Sequence, residues 1–325
     1  MKTFLRYRID LLDDGQVTRR IEEVDMEKMQ ESELLVKVAY SSLNYKDALA
    51  SSGNRGISRF YPHTPGIDAS GTVIRSFSPL FKPGQKVIIS GYDFGMNSPG
   101  GFAQYVGVPA AWATPLPDGL SLQESMILGT AGLTAAMCLD RLLPHNPRHV
   151  VVSGASGGVG TLSLIVLRHL GISVTAVSRK DPTYLKDWGA DEVIRPWEST
   201  DKPLLKGAYD AGIDTVGGSV LADMLKQIRP YGGVAVCGMA LSPHFSTSVF
   251  PFILRGINLY GIESAEAPLE WKKNLWQKLA TVWKPKQLEV LARTVNLETL
   301  EPEINKMLKG QALGRVLIDL ETGPA

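Results

Sequence analysis

Short apolar runs alternate with turn residues over the first hundred positions of the chain. The runs are ELLVKVAYSSL, GTVIRSF, QKVIISG and AQYVGVP, and Gly, Pro or polar residues separate them. Strands of this length and spacing are typical of antiparallel sheets and barrels rather than of alternating strands and helices. The pattern therefore predicts a β-rich, barrel-like first domain.

The pattern changes after LPDGLSLQESM. Ser121 and Glu124 have the spacing of a capping box, in which each side chain binds a free backbone N–H at the start of a helix. Helix-like segments follow to about Leu143. We place the domain boundary near residue 117 for this reason.

Strands and helices then alternate. The predicted strands are VVVS, SVTAVS, DEVI, YDAGIDTV, GGVAVCG and INLYGIE. Helices are predicted from about Val159 to Leu170, from Asp181 and Pro182 to Gly189, and over about 219–228, with the Asp cap, first-turn Pro and final Gly that helix ends favour. Alternation at this spacing predicts a parallel, doubly wound sheet.

The last sixty residues depart from this alternation. Two helices are expected after Ser264, and the chain closes on the strand-like run GRVLIDL. We expect that strand to pair within the first domain, which makes the first domain discontinuous. The predicted domains are a β-rich one over 1–117 and 265–325 and an α/β one over 118–264.

Composition narrows the range of partners. The 325 residues include 34 Lys and Arg against 33 Asp and Glu, a net charge of +1, so a nucleic acid partner is not expected. No run of roughly 18 apolar residues predicts a membrane span, and we expect a cytoplasmic protein. The two cysteines, Cys138 and Cys237, exclude a disulfide framework and are interpreted as small buried hydrophobic residues.

A glycine-rich turn follows the first strand of the α/β domain. The stretch VVVSGASGGVG places Gly154, Gly157, Gly158 and Gly160 between a strand and a helix. Without side chains, this backbone can approach a pyrophosphate, whose charge is met by N–H groups at the helix start. Ser153 and Ser156 can add hydroxyl donors. The turn therefore predicts a dinucleotide site; the alternative is a turn that only packs the helix on the strand.

The end of the next strand distinguishes NAD from NADP. Enzymes that use NAD carry Asp or Glu there to accept from the ribose 2′-OH, whereas this chain has Ser178, Arg179 and Lys180. These side chains favour a 2′-phosphate and hence NADPH, unless they form an ordinary solvated turn. Asp181 is assigned to the helix cap. Arg195 either closes the same pocket or pairs with a neighbouring carboxylate.

The first domain lacks the ligands of a catalytic zinc. It has no cysteine, and His63 is its only histidine before residue 117. Without a metal to polarise an alcohol or ketone, the easier hydride acceptor is an alkene conjugated to a carbonyl, whose developing oxyanion hydrogen bonds can stabilise. In SSLNYKDALASSG, Asn44 and Tyr45 are the candidate donors. The alternative is that Tyr45 packs in the core and that Lys46 and Asp47 form an ion pair.

Seven motifs across nearly the whole chain resemble those of the zinc-independent medium-chain dehydrogenase/reductases, and within them the acrylyl-CoA reductase and quinone oxidoreductase subfamily. They are SSLNYKDALA, PGIDASGTV, GTAGLTAA, SGASGGVG, IDTVGG, PFILRG and GRVLI. The resemblance implies a GroES-like catalytic domain, a Rossmann domain, NADPH, and reduction of an α,β-unsaturated carbonyl compound such as acrylyl-CoA. One- or two-electron quinone reduction and non-catalytic NADPH binding are the alternatives.

The resemblance also assigns site residues and a partner. It implies that Asp68 is structural and that a homodimer forms through INLYGIE. Tyr45 and Asn44 are the predicted catalytic residues, and no metal is predicted. The predicted cofactor-binding set is Tyr45, Ser156, Gly157, Gly158, Val159, Gly160, Ser178, Arg179, Lys180, Arg195, Met239, Ile253 and Ser264. The family's Ser-Gly-Arg turn is replaced here by Ser-Arg-Lys at 178–180, and its paired glycines by Met-Ala-Leu at 239–241.

Overall fold

The computed structural model describes residues 3–29, 31–286 and 288–321. Its strands are β1 (Thr3–Leu11), β2 (Val17–Asp25), β3 (Leu34–Ser42), β4 (Asp68–Ser76), β5 (Lys86–Ser90), β6 (Tyr105–Val108), β7 (Ala113–Pro115), β8 (His149–Ser153), β9 (Ser173–Val177), β10 (Glu192–Ile194), β11 (Tyr209–Asp214), β12 (Ile228–Val236), β13 (Asn258–Gly261), β14 (Ala292–Val295) and β15 (Arg315–Asp319). Its α-helices are α1 (Tyr45–Ala50), α2 (Leu122–Leu142), α3 (Gly158–His169), α4 (Pro182–Asp187), α5 (Gly218–Leu225), α6 (Phe250–Arg255), α7 (Leu269–Ala280) and α8 (Leu300–Leu308).

The chain divides into two compact units. The first comprises the described residues of Met1–Thr130, Ala265–Ala280 and Gln287–Ala325, and the second comprises Ala131–Ser264 and Thr281–Lys286. The division falls within α2, directly after a kink at Gly129, whereas the sequence pattern places a boundary near residue 117. The change of pattern marks the start of this helix, whose capping box of Ser121 and Glu124 forms as predicted.

A mostly antiparallel sheet forms the centre of the first unit. The strand order is β14-β15-β3-β4-β5-β7, with β6 also paired to β3, and β14 with β15 is the parallel pair in that order. The closing strand β15 pairs with β3 through Leu317 and Ser42, so the predicted partner within the first domain is confirmed. The core beneath the sheet contains apolar side chains such as Val36, Ile89 and Phe102.

The hairpin of β1 and β2 was not expected from the sequence. Its strands pair over their full length, from Thr3 with Asp25 to Leu11 with Val17. Charged residues on its outer side obscure the apolar pattern of the two strands. In the folded protein, cross-strand ion pairs hold these residues together. Arg6 and Arg8 both contact Glu22, at 2.5 and 2.7 Å.

The second unit contains a six-stranded parallel sheet. Its order is β10-β9-β8-β11-β12-β13, which is the 3-2-1-4-5-6 order of a doubly wound dinucleotide-binding sheet. The predicted α/β architecture is confirmed. One predicted helix is too long, since α5 ends at Leu225 and Ile228 already begins β12.

The stretch Leu122–His145 is long and apolar enough to cross a membrane by length and composition alone. However, 78% of its most apolar window is buried inside the protein. A core helix has the same composition, because all of its faces contact apolar side chains.

Candidate active site

The glycine-rich turn joins the end of β8 to the start of α3. Gly154 has a φ of +56°, and a Cβ there would lie 2.1 Å from Thr215 Oγ1. At Gly160 a Cβ would lie 2.4 Å from the carbonyl oxygen of Gly154. Both distances are shorter than any real Cβ contact, so these two glycines are required by packing within the turn.

Gly157 lies in a different environment. It is exposed, its φ is −81°, and the only neighbour of an added Cβ would be the Gly154 carbonyl oxygen at 3.3 Å. This residue is the N-cap of α3, and no side chain caps the helix. The N–H groups that begin α3, at Gly158, Val159 and Gly160, therefore need a partner from outside the helix. An anionic group meets this need.

The two serines of the turn have separate roles. Ser153 is buried, and its hydroxyl donates to Asp214 Oδ1 at 2.6 Å, so this hydroxyl is not available as a donor to a cofactor. Ser156 is half-buried, and its Oγ accepts a long hydrogen bond of 3.5 Å from Ser178 Oγ. Ser178 is the residue after β9, so this contact brings the glycine-rich turn next to the predicted 2′-phosphate site.

Basic side chains surround the end of β9. Arg179 is exposed, and the guanidinium of Arg195 donates to the Arg179 carbonyl oxygen at 2.5 Å. Lys180 is half-buried, and this burial lowers the pKa of its ammonium. Arg195 therefore contacts the turn at which the 2′-phosphate is predicted to bind.

No carboxylate among the described residues of this turn takes the position that a ribose 2′-OH would require. The nearest in sequence, Asp181, is the N-cap of α4, and its Oδ1 accepts from the Thr183 N–H at 2.7 Å. The predicted helix cap is thus confirmed. The end of β9 has hydroxyl and cationic groups instead, which suit a phosphate.

The remaining predicted cofactor residues of this unit lie later in the chain, after β12, after β13 and on α6. Met239 and Ser264 come shortly after β12 and β13, so they lie at the same carboxyl edge of the parallel sheet as the turn after β8. Met239 is 69% exposed, and Ser264 Oγ accepts from Thr134 Oγ1 at 2.9 Å. Ile253 lies on α6 with 68% of its surface exposed.

In the first unit, Tyr45 is the first residue of α1 and is 56% exposed. The alternative in which it packs in the core is therefore wrong. The ion pair of Lys46 with Asp47, which belonged to the same alternative, does not match the structure either, since Lys46 is exposed and Asp47 is buried. Its carboxylate accepts the backbone N–H groups of Asn44, Gly66 and Ile67 at 2.8, 3.0 and 2.9 Å. Burial raises the pKa of Asp47 to about 7, against the effect of these hydrogen bonds.

Asn44 is buried and its amide is fully engaged inside the unit. Its Nδ2 donates to Asp68 Oδ2 at 2.8 Å, and its Oδ1 accepts from both terminal nitrogens of Arg315 at 3.3 Å. The sequence indicated that Asn44 donates to the substrate. The geometry argues against this expectation, because the two N–H groups of the amide contact Asp68 Oδ2 at 2.8 Å and Ser42 at 3.3 Å, and it favours a supporting role for Asn44.

The expected structural role of Asp68 agrees with its contacts. Besides Asn44, its carboxylate accepts from Ser42 and from the N–H and hydroxyl of Thr130. Sequence reasoning missed Arg315, which is 3% exposed. The available signal was an arginine at the start of the apolar run RVLI, where a buried cation requires a buried acceptor.

His63, the only histidine before residue 117, has a partner within the first unit. His63 is buried, and its Nε2 lies 3.0 Å from the Gly95 carbonyl oxygen. Over the described residues, no group of three or more His, Cys, Asp or Glu side chains has the arrangement of a metal site.

Two family models match the chain, the alcohol dehydrogenase GroES-like domain over residues 30–118 and the zinc-binding dehydrogenase over residues 158–281. The chain is also 38% identical to the protein named "Putative quinone oxidoreductase YhfP" of Bacillus subtilis, over 94% of this chain and 95% of that one. The chain belongs to the medium-chain dehydrogenase/reductase superfamily. The second family model is named for zinc, whereas the first 117 residues of this chain contain no cysteine and a single histidine.

Other members of the superfamily extend the comparison. Acrylyl-CoA reductase AcuI of Ruegeria pomeroyi is 36% identical over 95% of this chain and 96% of its own length. Escherichia coli YhdH, solved with bound NADPH, is 37% identical with a TM-score of 0.92 over 97% of this chain and 99% of that chain. Bacillus subtilis YhfP, solved with bound NAD, is 37% identical with a TM-score of 0.94 over 98% of this chain and all of that one. These relatives confirm the predicted family, fold and oxidoreductase class.

Proposed function

We propose that this protein is an NADPH-dependent, zinc-independent reductase that transfers hydride to the C=C bond of an α,β-unsaturated carbonyl compound. The substrate class is an enoyl thioester like acrylyl-CoA or a simple enone. The observation that carries the cofactor assignment is the turn at Gly157, open on its outer side and adjacent to a cationic turn that lacks a carboxylate. The name of the relative AcuI supports the substrate class.

The residues of the second unit fit NADPH. The start of α3 after Gly157 offers backbone N–H groups to the pyrophosphate, and Ser156 adds a hydroxyl. Ser178, Arg179 and Arg195 provide a hydroxyl and two guanidinium groups for the 2′-phosphate, and Lys180 adds an ammonium. When bound, NADPH supplies the hydride. Solved YhdH holds NADPH, which supports the same assignment here.

Tyr45 is the proposed proton or hydrogen-bond donor to the substrate. Its phenol belongs to a half-exposed side chain at the first position of α1, and buried hydrogen bonds hold Asn44, directly before it, and Asp47, two residues after it. A phenol can stabilise negative charge on the carbonyl oxygen during hydride addition at the β-carbon. It can also supply the proton that the α-carbon requires, directly or through water.

A stopped-flow assay of NADPH oxidation tests the proposal. We expect rapid oxidation with acrylyl-CoA or simple enones and slower oxidation with quinones. Failure with every conjugated acceptor, combined with tight NADPH binding, would contradict reductase activity and indicate a protein that only binds the cofactor.

Quinone reduction is the second candidate, and the name of YhfP supports it. One-electron quinone reduction differs from alkene reduction in the number of electrons transferred in each step. Detection of a semiquinone radical by electron paramagnetic resonance during turnover would favour one-electron quinone reduction over alkene reduction.

We also propose a cytoplasmic homodimer. Strand β13 is the last in the sheet order and pairs on one side with β12, while neighbouring α6 and its N-cap expose Val249, Ile253 and Leu254. An edge strand beside apolar side chains is a surface that a second copy can extend. Light scattering should give a mass near twice 35.3 kDa. A monomer at micromolar concentration would contradict the dimer.

A further inference from the structure

The first unit contains a closed network of polar side chains around Asp68. The Asp68 carboxylate accepts four hydrogen bonds, from Ser42 Oγ at 2.8 Å, Asn44 Nδ2 at 2.8 Å, Thr130 N at 2.8 Å and Thr130 Oγ1 at 2.7 Å. Asp68 and Ser42 are fully buried. Three of these bonds end on Oδ2 and one on Oδ1, so most of the acceptor capacity of this carboxylate, about four hydrogen bonds, is used within the unit.

Arg315 closes the network from the other side. Its Nε donates to the Ile127 carbonyl oxygen at 2.8 Å, and both terminal nitrogens donate to Asn44 Oδ1. Burial lowers the pKa of Arg315, while the nearby carboxylates of Asp68 and Asp47 raise it. The guanidinium is thus a buried cation near two carboxylates, and its printed hydrogen bonds go to Asn44 and Ile127.

Gly129 shows how tightly these groups pack. A Cβ at this residue would lie 2.6 Å from Asp68 Oδ2, 2.7 Å from Ser42 Oγ and 3.0 Å from a terminal nitrogen of Arg315. Its φ of +52° lets the backbone of α2 kink over the network. No space for a substrate group remains between Gly129 and these polar atoms. We therefore expect the network to affect function indirectly, by fixing the positions of neighbouring residues.

The residue that the network fixes most directly is Asn44, which immediately precedes Tyr45. The orientation of the Asn44 side-chain amide is fixed by its two partners. The Asp68 carboxylate requires the NH₂ group as a donor, and the Arg315 guanidinium requires the oxygen as an acceptor. Two residues after Tyr45, Asp47 is held by three backbone N–H groups. The backbone that carries Tyr45 is therefore anchored on both sides, although its own side chain is exposed.

We propose that Arg315 and Asp68 are positioning residues for Tyr45 and act through the side chain of Asn44. This inference rests on the proposed function, in which Tyr45 contacts the substrate. A displacement of about 1 Å in a group that must meet the reacting atoms can reduce the rate about 100-fold. Loss of the network is therefore expected to lower kcat and to leave NADPH affinity unchanged, because the residues that we assign to the pyrophosphate and the 2′-phosphate belong to the other unit.

A double-mutant cycle of Arg315→Lys with Tyr45→Phe tests the proposal. The lysine keeps the buried charge but cannot contact Asn44 and Ile127 together. We expect Arg315→Lys alone to lower kcat about 10-fold, and to change it less than about 2-fold when Tyr45 is already phenylalanine, because residues that act as a unit are non-additive. The matched control is Arg293→Lys, at a half-exposed arginine of the same unit that pairs with Glu303. It should leave kcat unchanged in both backgrounds.

The outcomes separate the two claims. Equal effects of Arg315→Lys in both backgrounds would overturn the positioning role and show that Arg315 acts elsewhere. An unchanged kcat for Tyr45→Phe would instead remove Tyr45 from the proposed mechanism, and the positioning proposal with it.

A second measurement does not depend on turnover. Asn44→Ser keeps a good helix N-cap but cannot reach Asp68 and Arg315 together. The protein is labelled with 3-fluorotyrosine, and the Tyr45 resonance is identified by its loss in Tyr45→Phe. We expect this resonance to shift or broaden in Asn44→Ser and Arg315→Lys while the other resonances stay in place. An unchanged Tyr45 resonance in both variants would overturn the proposal.

Discussion

The glycine-rich turn after β8 and the network around Asp68 are both places where polar groups meet a glycine, but their free space differs. At Gly157 an added Cβ has one neighbour, at 3.3 Å, and the helix start behind it has no side-chain cap. At Gly129 an added Cβ would meet three polar atoms at 3.0 Å or less, and each belongs to a group with a partner in the protein.

This difference separates binding from positioning. Buried polar groups need partners, so an open set of donors is stabilised by a ligand, whereas a satisfied set stabilises the protein itself. We therefore expect the turn to act by holding a cofactor. The Asp68 network is expected to act by fixing the backbone around Tyr45.

The largest effect is expected next to the Asp68 network, at Asp47. Its pKa of about 7 in the folded protein lies above its ordinary value near 3.8, so the folded state binds more protons between these values and loses stability as the pH rises through them. We expect the free energy of unfolding to fall by about 3 kcal/mol from pH 4.5 to 8 through this group. Urea unfolding of the wild type and Asp47→Asn measures it. The same pH slope in both proteins would rule Asp47 out as the cause.

The next effect distinguishes the two kinds of glycine within the turn itself. Gly157→Ala should lower NADPH affinity about 100-fold, because the methyl group occupies the approach to the pyrophosphate, while the melting temperature without cofactor changes little. Gly160→Ala is the matched control, since its Cβ meets backbone atoms at 2.4 and 2.6 Å. That variant should lose about 3 kcal/mol of stability. Unaltered NADPH affinity in Gly157→Ala, measured by fluorescence titration, would contradict the assignment of the turn.

A smaller effect separates the chemistry from cofactor binding. Tyr45→Phe removes one hydroxyl from a half-exposed side chain and should lower kcat about 30-fold, which is below the roughly 100-fold or more of a fully enclosed general acid or oxyanion donor because water can partly replace the hydroxyl. NADPH affinity should remain within about 2-fold of the wild type, because about 1.4 kcal/mol corresponds to a 10-fold change and no contact of that size is removed. Steady-state kinetics with an enone and a separate NADPH titration provide both values. A loss confined to NADPH affinity would place Tyr45 at the cofactor alone.

The smallest effect concerns the choice between NADPH and NADH at the basic turn after β9. Arg179→Ala should reduce the preference for NADPH over NADH about 10-fold, which is one charge-assisted contact to a phosphate. Arg168→Ala, at an exposed arginine of α3, should leave the ratio unchanged. Competition between the two cofactors in the same assay gives the ratio. If both variants keep the wild-type preference, another cation binds the 2′-phosphate.

The glycine-rich turn and the basic turn could be predicted from the sequence far better than the Asp68 network. A strand, a turn with four glycines and a helix are contiguous in the chain, and the basic turn at 178–180 follows at a fixed interval. Local periodicity also predicted the parallel sheet and the existence of the closing strand. These features depend on neighbours in sequence or on regular alternation.

The Asp68 network depends on contacts that no local pattern reveals. Asn44 and Arg315 meet across 271 positions, and Asp68 meets Thr130 across 62. Asn44 and Tyr45 are adjacent polar residues, and no local pattern indicates that one is buried and the other exposed. The hairpin of β1 and β2 was missed for a similar reason, because its charged outer residues become compatible with strands only once they are paired.

Transfer of deuterium from the cofactor to the substrate tests the proposed reaction most directly. The protein is mixed with NADPH that carries deuterium in the transferable position at C4 of the nicotinamide, together with acrylyl-CoA, and the product is analysed by mass spectrometry and NMR. We predict one deuterium per product molecule, located at the β-carbon of propionyl-CoA. Oxidation of the cofactor without deuterium at that carbon, or no reduced product at all, would contradict hydride transfer to a conjugated alkene.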